Sequence, residues 1–146
     1  MKSTCMSLAF LIGVLLPLAH AGGPDKDAKL IDGDWKAVSA ELAGKKMPDE
    51  FVKSISLKVK NNRYTVVTAN VKDEGTLKID GSKKPKTMDI VGTDGPNKGK
   101  TILTIFDVDG DKLKVCYDLG GKNRPEEFAT KEASSQLLVI YARAKP

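Results

Sequence analysis

The chain has 146 residues, and its 24 Lys and Arg against 19 Asp and Glu give a formal net charge of +5. It contains one histidine and two cysteines, and the histidine and one cysteine lie within the first 21 residues. If that segment is removed, the remaining chain has no imidazole and a single thiol. This would exclude a Ser-His-Asp or Cys-His nucleophile, a histidine-ligated zinc or iron site, and an intramolecular disulfide.

The amino terminus has the three parts of a secretory signal. Lys2 provides the positive charge, Leu8–Leu18 is an apolar run, and Ala19-His20-Ala21 has the small-residue pattern of a cleavage site. The apolar run is shorter than the roughly 20 residues that a bilayer requires. We therefore expect residues 1–21 to be a signal peptide. The mature protein is expected in the periplasm, in the cell envelope or secreted, without a stable membrane anchor.

The rest of the chain alternates between apolar and polar residues with the period of a β-strand. Residues 22–29 are polar and rich in Gly, Pro and Asp, which predicts a flexible tether before one domain over residues 30–144. Eight strands are predicted, at 33–42, 55–60, 63–69, 75–80, 86–91, 100–108, 112–118 and 136–143. Pro48 favours one helical turn within 45–54, which could cap a barrel end. The predicted fold is all-β: an eight-stranded antiparallel barrel that encloses side chains or one small ligand.

Several short strings resemble functional motifs but fit other structures better. Gly99-Lys100-Thr101 resembles the end of a phosphate-binding loop, but Asp94 replaces the required glycine and a strand follows. Asp107–Asp111 resembles a calcium loop only in composition, and Asp109-Gly110 predicts a two-residue hairpin instead. The acidic pairs at 49–50, 73–74 and 126–127 are expected to be solvated, without the convergence that acid–base catalysis needs. We predict no catalytic residue, cofactor or metal.

Two strand segments, 101–106 and 137–141, are apolar on both faces, although the outer face of a barrel in water should be polar. Either the helical turn at 48–54 or the loop at 119–135 is expected to cover them. Uncovered, they would form a surface for a homodimer or an envelope partner. Cys116 falls on the outer face beside two lysines, and it is either an exposed, reactive thiol or a buried one under a loop. We favour the buried thiol, because free cysteine is usually buried.

The first and last predicted strands carry a family resemblance. The Gly33-Asp34-Trp35 opening, the eight-strand meander and the late Arg143 resemble the lipocalin-like (calycin) barrels. The resemblance implies a structural barrel-end pair, in which Trp35 packs across the closed end and Arg143 lies over its ring. The strings GDWKAVSAELAGKKMPDE, KKPKTMDIVGTDGPNKGKTILTIFDVDGDKLKVCYD and RPEEFAT are similar to a family of small exported bacterial proteins of the planctomycete type. That family is described as an uncharacterised lipocalin-like domain, so it implies a fold but no activity.

Three functional hypotheses follow. The leading one is non-catalytic binding of a small apolar ligand inside the barrel; the candidate ligand-binding residues are Tyr64, Met88, Phe106, Tyr117 and Tyr141. The alternative is a cell-envelope interaction module that uses the outer face of strands 101–106 and 137–141. An enzyme is disfavoured by the missing imidazole. Nucleic acid is not expected as a partner, because arginine occurs at only three positions and aromatic residues make up 5% of the chain.

Overall fold

The computed structural model describes residues 24–146, which form two short helices and nine β-strands. The helices are α1 (Pro24–Ile31) and α2 (Asp49–Lys53). The strands are β1 (Gly33–Leu42), β2 (Lys45–Lys46), β3 (Ser56–Lys60), β4 (Arg63–Thr68), β5 (Val71–Asp80), β6 (Lys86–Asp94), β7 (Thr101–Asp109), β8 (Lys112–Asp118) and β9 (Gln136–Arg143). Neither helix is long and apolar enough to cross a membrane. The predicted signal peptide lies outside the described residues.

The strands form one antiparallel sheet that closes on itself. Each strand from β3 to β9 pairs with its neighbour in sequence, and β1 pairs with both β3 and β9. The eight long strands therefore form a closed barrel, which confirms the predicted fold class. The additional strand, β2, is a two-residue extension that pairs with the end of β1. A bulge at Val38 interrupts the register between β1 and β9 and leaves that side chain exposed.

Tight turns join several of the strands. Asn61 and Asn62 both have positive φ, which matches the right-handed twist of the hairpin between β3 and β4. A two-residue hairpin joins β7 to β8 as predicted, but its loop residues are Gly110 and Asp111, because Asp109 is the last residue of β7 and pairs with Lys112. The predicted strand over 75–80 is too short. Ala69-Asn70 forms a second turn with positive φ, so that β5 begins at Val71.

The predicted tether is wrong from Pro24 onward, because residues 24–31 form helix α1. Burial of Ile31 in the main core holds this helix against the end of the barrel. Asp27 is buried as well, and its Oδ1 accepts a hydrogen bond from the Lys86 ammonium at 2.6 Å. A polar segment that would be mobile alone is thus ordered by one apolar anchor and one ion pair.

Trp35 and Arg143 lie beside α1 at this closed end of the barrel. The Trp35 side chain is 1% exposed, and its Nε1 donates to the Ile31 carbonyl at 2.9 Å. The guanidinium carbon of Arg143 lies 4.2 Å from the centroid of the Trp35 ring. Arg143 also donates to the carbonyls of Leu30 and Asp32. The cation–π contact that the resemblance implies is therefore present, and it joins the last strand to the start of the first.

The loop over residues 119–135, called the covering loop below, crosses the outside of the barrel. It begins at Asp118, whose carboxylate accepts from three backbone N–H groups of the loop. Arg124 then forms an ion pair with Asp89 of β6, and Thr130 donates to Glu41 of β1. Between these points the loop passes over β7, β8 and β9. Ile105, on the outer face of β7, is only 1% exposed and lies beside Arg124 and Pro125, so the loop is the one of the two predicted covers that buries this residue. The other outward apolar residues, Leu103, Leu138 and Ile140, are half-buried.

Candidate functional site

The inside of the barrel contains a cavity of about 170 Å³. Residues from α1, α2 and every long strand except β1 line it, and most of them are aliphatic. Ile31 bounds the cavity at the closed end, whereas Phe51 of α2 and Leu119 bound it at the opposite end. Leu119 is 48% exposed, so the cavity reaches the protein surface at that end, called the mouth below. The barrel is therefore only partly filled by its own side chains.

Four of the five predicted ligand-binding residues line this cavity, namely Tyr64, Met88, Tyr117 and Tyr141. The fifth, Phe106, does not border the cavity. It is 1% exposed and pairs with Lys86 at the start of β6, next to the closed end, where its ring is part of the packed core. The structure therefore places Phe106 in the packed part of the barrel and not on the cavity wall, because alternation identifies an inward-facing residue but does not say how far along the barrel the packing is complete.

The cavity includes one buried carboxylate, Asp73, which is 6% exposed. Its Oδ2 accepts a hydrogen bond from the Tyr64 hydroxyl at 2.9 Å and another from Asn97 Nδ2 at 2.9 Å. Its Oδ1 accepts from the Asn97 backbone N–H at 2.9 Å. Three donors thus replace the water that the carboxylate loses on burial. The expectation that the 73–74 pair is solvated was wrong for Asp73, because the early start of β5 turns it inward.

Gly75 allows Tyr64 to take this position. The two residues are opposite each other in the β4–β5 ladder, and a Cβ at Gly75 would lie 2.7 Å from Tyr64 Cε1 and 2.0 Å from the Val91 carbonyl oxygen. Without a side chain at this position, the phenol ring leans across β5 until its hydroxyl meets Asp73. Burial, together with the hydrogen bond to Asp73, raises the pKa of Tyr64 well above its ordinary value.

A second hydroxyl pair lies on the wall formed by β8 and β9. Tyr117 is paired in register with Leu137, and Tyr141 with Leu113, so the two tyrosines start four residues apart along the wall. Their side chains lean towards each other, and their hydroxyl oxygens meet at 2.9 Å. Burial raises the pKa of Tyr117 well above its ordinary value and that of Tyr141 to about 12. Both groups therefore keep their protons at neutral pH.

The mouth is bounded by α2 and by the turn that contains Asn97. Val52 of α2 is buried in the core, and Phe51 packs against that core at the mouth. This position matches the prediction that a helical turn near Pro48 caps one end of the barrel. Asn97 follows β6, and its two bonds to Asp73 hold the turn over the opposite side of the mouth. Sequence reasoning missed Asn97, because a loop asparagine in a Gly- and Pro-containing segment carries only a turn signal.

Cys116 lies beneath the covering loop and is fully buried, which confirms the interpretation that we favoured. Its thiol donates to the Ala129 carbonyl at 3.6 Å, and burial raises its pKa to about 11. Lys114, one of the two lysines that flank Cys116 in the sequence, has its ammonium 4.8 Å from the centroid of the Phe128 ring. Among residues 24–146, no group of three or more His, Cys, Asp or Glu side chains could hold a metal ion.

Comparison with known proteins gives one structural relative. No family model matches the chain, and no curated protein matches it in sequence. The fold is similar to that of a DUF4847 family protein from Bacteroides vulgatus ATCC 8482, with a TM-score of 0.50 and 16% identity. The match covers 83% of this chain and 99% of that protein. At this identity the similarity supports the fold alone, and the narrower resemblance to planctomycete-type proteins stays a prediction.

Proposed function

We propose that this protein binds a small, largely apolar molecule in its barrel without transforming it. One observation carries the proposal, namely a cavity of about 170 Å³ with mainly aliphatic walls and an end that reaches the surface. An apolar cavity of roughly 150 Å³ stays dry in water and holds a molecule as small as benzene or xenon. Burial of apolar ligand surface there releases roughly 25 cal/mol for each Å².

The size of the cavity limits the ligand. Sites for drug-sized molecules measure roughly 300–1,000 Å³, so this cavity suits a single ring or a short chain. The cavity's two clusters of polar side chains are bonded internally, Tyr64 and Asn97 to Asp73, and Tyr117 to Tyr141. This arrangement supports binding over catalysis, because the Asp73 carboxylate already has three donors to hold its charge.

A matched pair of variants tests the proposal. Ile90 and Val91 are neighbours on β6, but Ile90 lines the cavity and is 7% exposed, whereas Val91 points outward and is 38% exposed. Ile90→Phe should fill the cavity and abolish binding of benzene, measured by NMR titration. Val91→Phe adds the same ring on the outside and should leave the affinity for benzene unchanged. Equal affinity in both variants would contradict a binding site inside the barrel.

Export is part of the proposal, supported by the signal-like pattern of residues 1–21. The mass of the protein recovered from its own host should correspond to a chain that begins at Gly22. Native mass spectrometry of the same sample tests the ligand directly, since a carrier retains a small molecule. The alternative is an interaction module that uses the outer face of strands 101–106 and 137–141. The covering loop buries Ile105 of this face, which leaves less apolar surface for a partner.

A further inference from the structure

The two tyrosines on the β8–β9 wall have more hydrogen-bond donors than they use. Each phenol carries one proton, but only one of the two protons can lie between the hydroxyl oxygens of Tyr117 and Tyr141. Neither hydroxyl has another acceptor among the described residues. Whichever oxygen accepts, its own O–H is left without an acceptor. The wall of the cavity therefore presents one spare donor among aliphatic side chains.

The third tyrosine provides a contrast within the same cavity. The Tyr64 proton is committed to Asp73 Oδ2, and an ionised carboxylate accepts but cannot donate. The spare donor therefore belongs to the Tyr117–Tyr141 pair alone. A buried donor without a partner costs free energy, and a ligand that brings an acceptor removes that cost. The same pair would gain nothing from a pure hydrocarbon.

The charged side chains that line the cavity indicate which net charge the ligand has. Asp73 is the one charged side chain among the described residues that line it, and no Lys or Arg lies on its walls. An anionic ligand would be buried beside a carboxylate with no cation to compensate, which is strongly unfavourable. A cationic ligand would have to compete with the three donors that already bind Asp73. A neutral ligand meets neither difficulty.

We propose that the cavity selects a neutral molecule with an apolar body of about one ring and one acceptor oxygen, such as an aryl ketone or aldehyde, and that the Tyr117–Tyr141 pair donates to that oxygen. This inference rests on the proposed function and adds the class of ligand to it. The hydrogen bond is made among mainly aliphatic side chains, where the effective dielectric constant is low and a hydrogen bond is stronger than in water. Ligand and protein exchange no atoms or electrons.

Two probes of the same shape test the inference. Acetophenone and α-methylstyrene differ only in a carbonyl oxygen against a methylene group, so both should fit the cavity. In the variant with both Tyr117→Phe and Tyr141→Phe, acetophenone should bind about 10-fold more weakly than in the wild type. The affinity for α-methylstyrene should be unchanged or higher. Binding is measured by NMR titration in sealed tubes.

The single variants give a result that a merely structural role does not predict. In Tyr117→Phe the hydroxyl of Tyr141 keeps its proton, and in Tyr141→Phe the hydroxyl of Tyr117 does. Each single variant should therefore retain the selectivity for acetophenone over α-methylstyrene, whereas the double variant loses it. Val38→Ala, at an exposed position on the outside of β1, is the control for general effects of substitution. If the double variant does not fold, the carbonyl stretching frequency of acetophenone bound to the wild type should still be lowered by the hydrogen bond.

The possible failures are distinguishable. If neither probe binds the wild-type protein, the proposed function and this inference both fail. A second case is that both probes bind while the double variant keeps the wild-type ratio of affinities, or while the carbonyl frequency is not lowered. The proposed function is then supported and the inference is wrong. Tighter binding of benzylamine than of acetophenone would overturn it in favour of a cation at Asp73. Tighter binding of benzoate would overturn it as well.

Discussion

Replacement of Trp35 should remove a large share of the stability of this barrel. The side chain is 1% exposed, its Nε1 donates to the Ile31 carbonyl, and the Arg143 guanidinium covers its ring. Burial of an aromatic side chain removes roughly 150–250 Å² from water, and truncation of a buried Trp to Ala costs about 3–5 kcal/mol. The free energy of unfolding of a whole domain is about 5–15 kcal/mol, so Trp35→Ala is expected to leave only a small part of it.

A smaller change makes the measurement practical. Trp35→Phe keeps a ring in the core but loses the bond to Ile31, and should lower the unfolding free energy by about 2 kcal/mol. Denaturant unfolding followed by circular dichroism gives this value for each variant. A double-mutant cycle with Arg143→Lys isolates the contact between the guanidinium and the ring, expected at about 0.5–2 kcal/mol.

Val38→Ala is the control, because Val38 lies on the same strand but is 58% exposed. Its unfolding free energy should stay within about 0.5 kcal/mol of the wild type. The reasoning would be refuted if Trp35→Ala were as stable as this control. It would also be refuted if Trp35→Ala retained its stability while losing affinity for a ligand, since Trp35 would then belong to the binding site.

Three further predictions concern buried groups. The Cys116 thiol, whose pKa is raised to about 11, should not react with a disulfide reagent at pH 8 until the protein unfolds; fast reaction of the folded protein would contradict its burial. Because the pKa of Tyr141 is about 12 in the folded state and about 10 when unfolded, stability should be full below pH 10 and fall as the pH rises towards 12. Reversible tyrosinate absorbance near pH 10 from all tyrosines of the folded protein would refute this. Gly81→Ala should destabilise the protein, because its Cβ would lie 1.6 Å from Asp27 Oδ2, and adding Asp27→Ala should recover part of the loss; strictly additive unfolding free energies would show that no such clash exists.

The bounds of a strand could be predicted where the hydrophobic pattern and the turn residues at its ends indicate the same limits. Strands β8 and β9 have the predicted bounds. β8 alternates cleanly, β9 is a short continuous apolar run, and a Gly- and Ser-containing segment separates the two strands. The turn at Ala69-Asn70 was missed, since alanine rarely adopts a positive φ and carries no turn signal. Without that turn, the start of β5 was placed at Gly75, and Asp73 could not be recognised as an inward-facing residue.

Helix α1 and the hydroxyl pairs depend on contacts between distant parts of the chain. The Pro24-Asp25 start resembles that of α2, but a short polar helix is stable only when packed, and its partner Lys86 lies 59 residues from Asp27. Alternation placed all three tyrosines inside the barrel. It could not show that the hydroxyl groups of Tyr117 and Tyr141 are hydrogen-bonded to each other, while the Tyr64 hydroxyl donates to a carboxylate. These contacts depend on how far each ring leans along its strand.

The pairing of β1 with β9 has a consequence for how the chain folds. These strands come from opposite ends of the described sequence, and Trp35 lies opposite Arg143 in their ladder. Contacts between residues so far apart in sequence form slowly, because closing so long a loop costs conformational entropy before the contacts compensate for it. Until β9 has been synthesised, β1 and β8 each keep one unpaired edge, which invites association with other chains. A sheet that cannot close before β9 is available keeps these edges exposed long enough for chaperones to act on them.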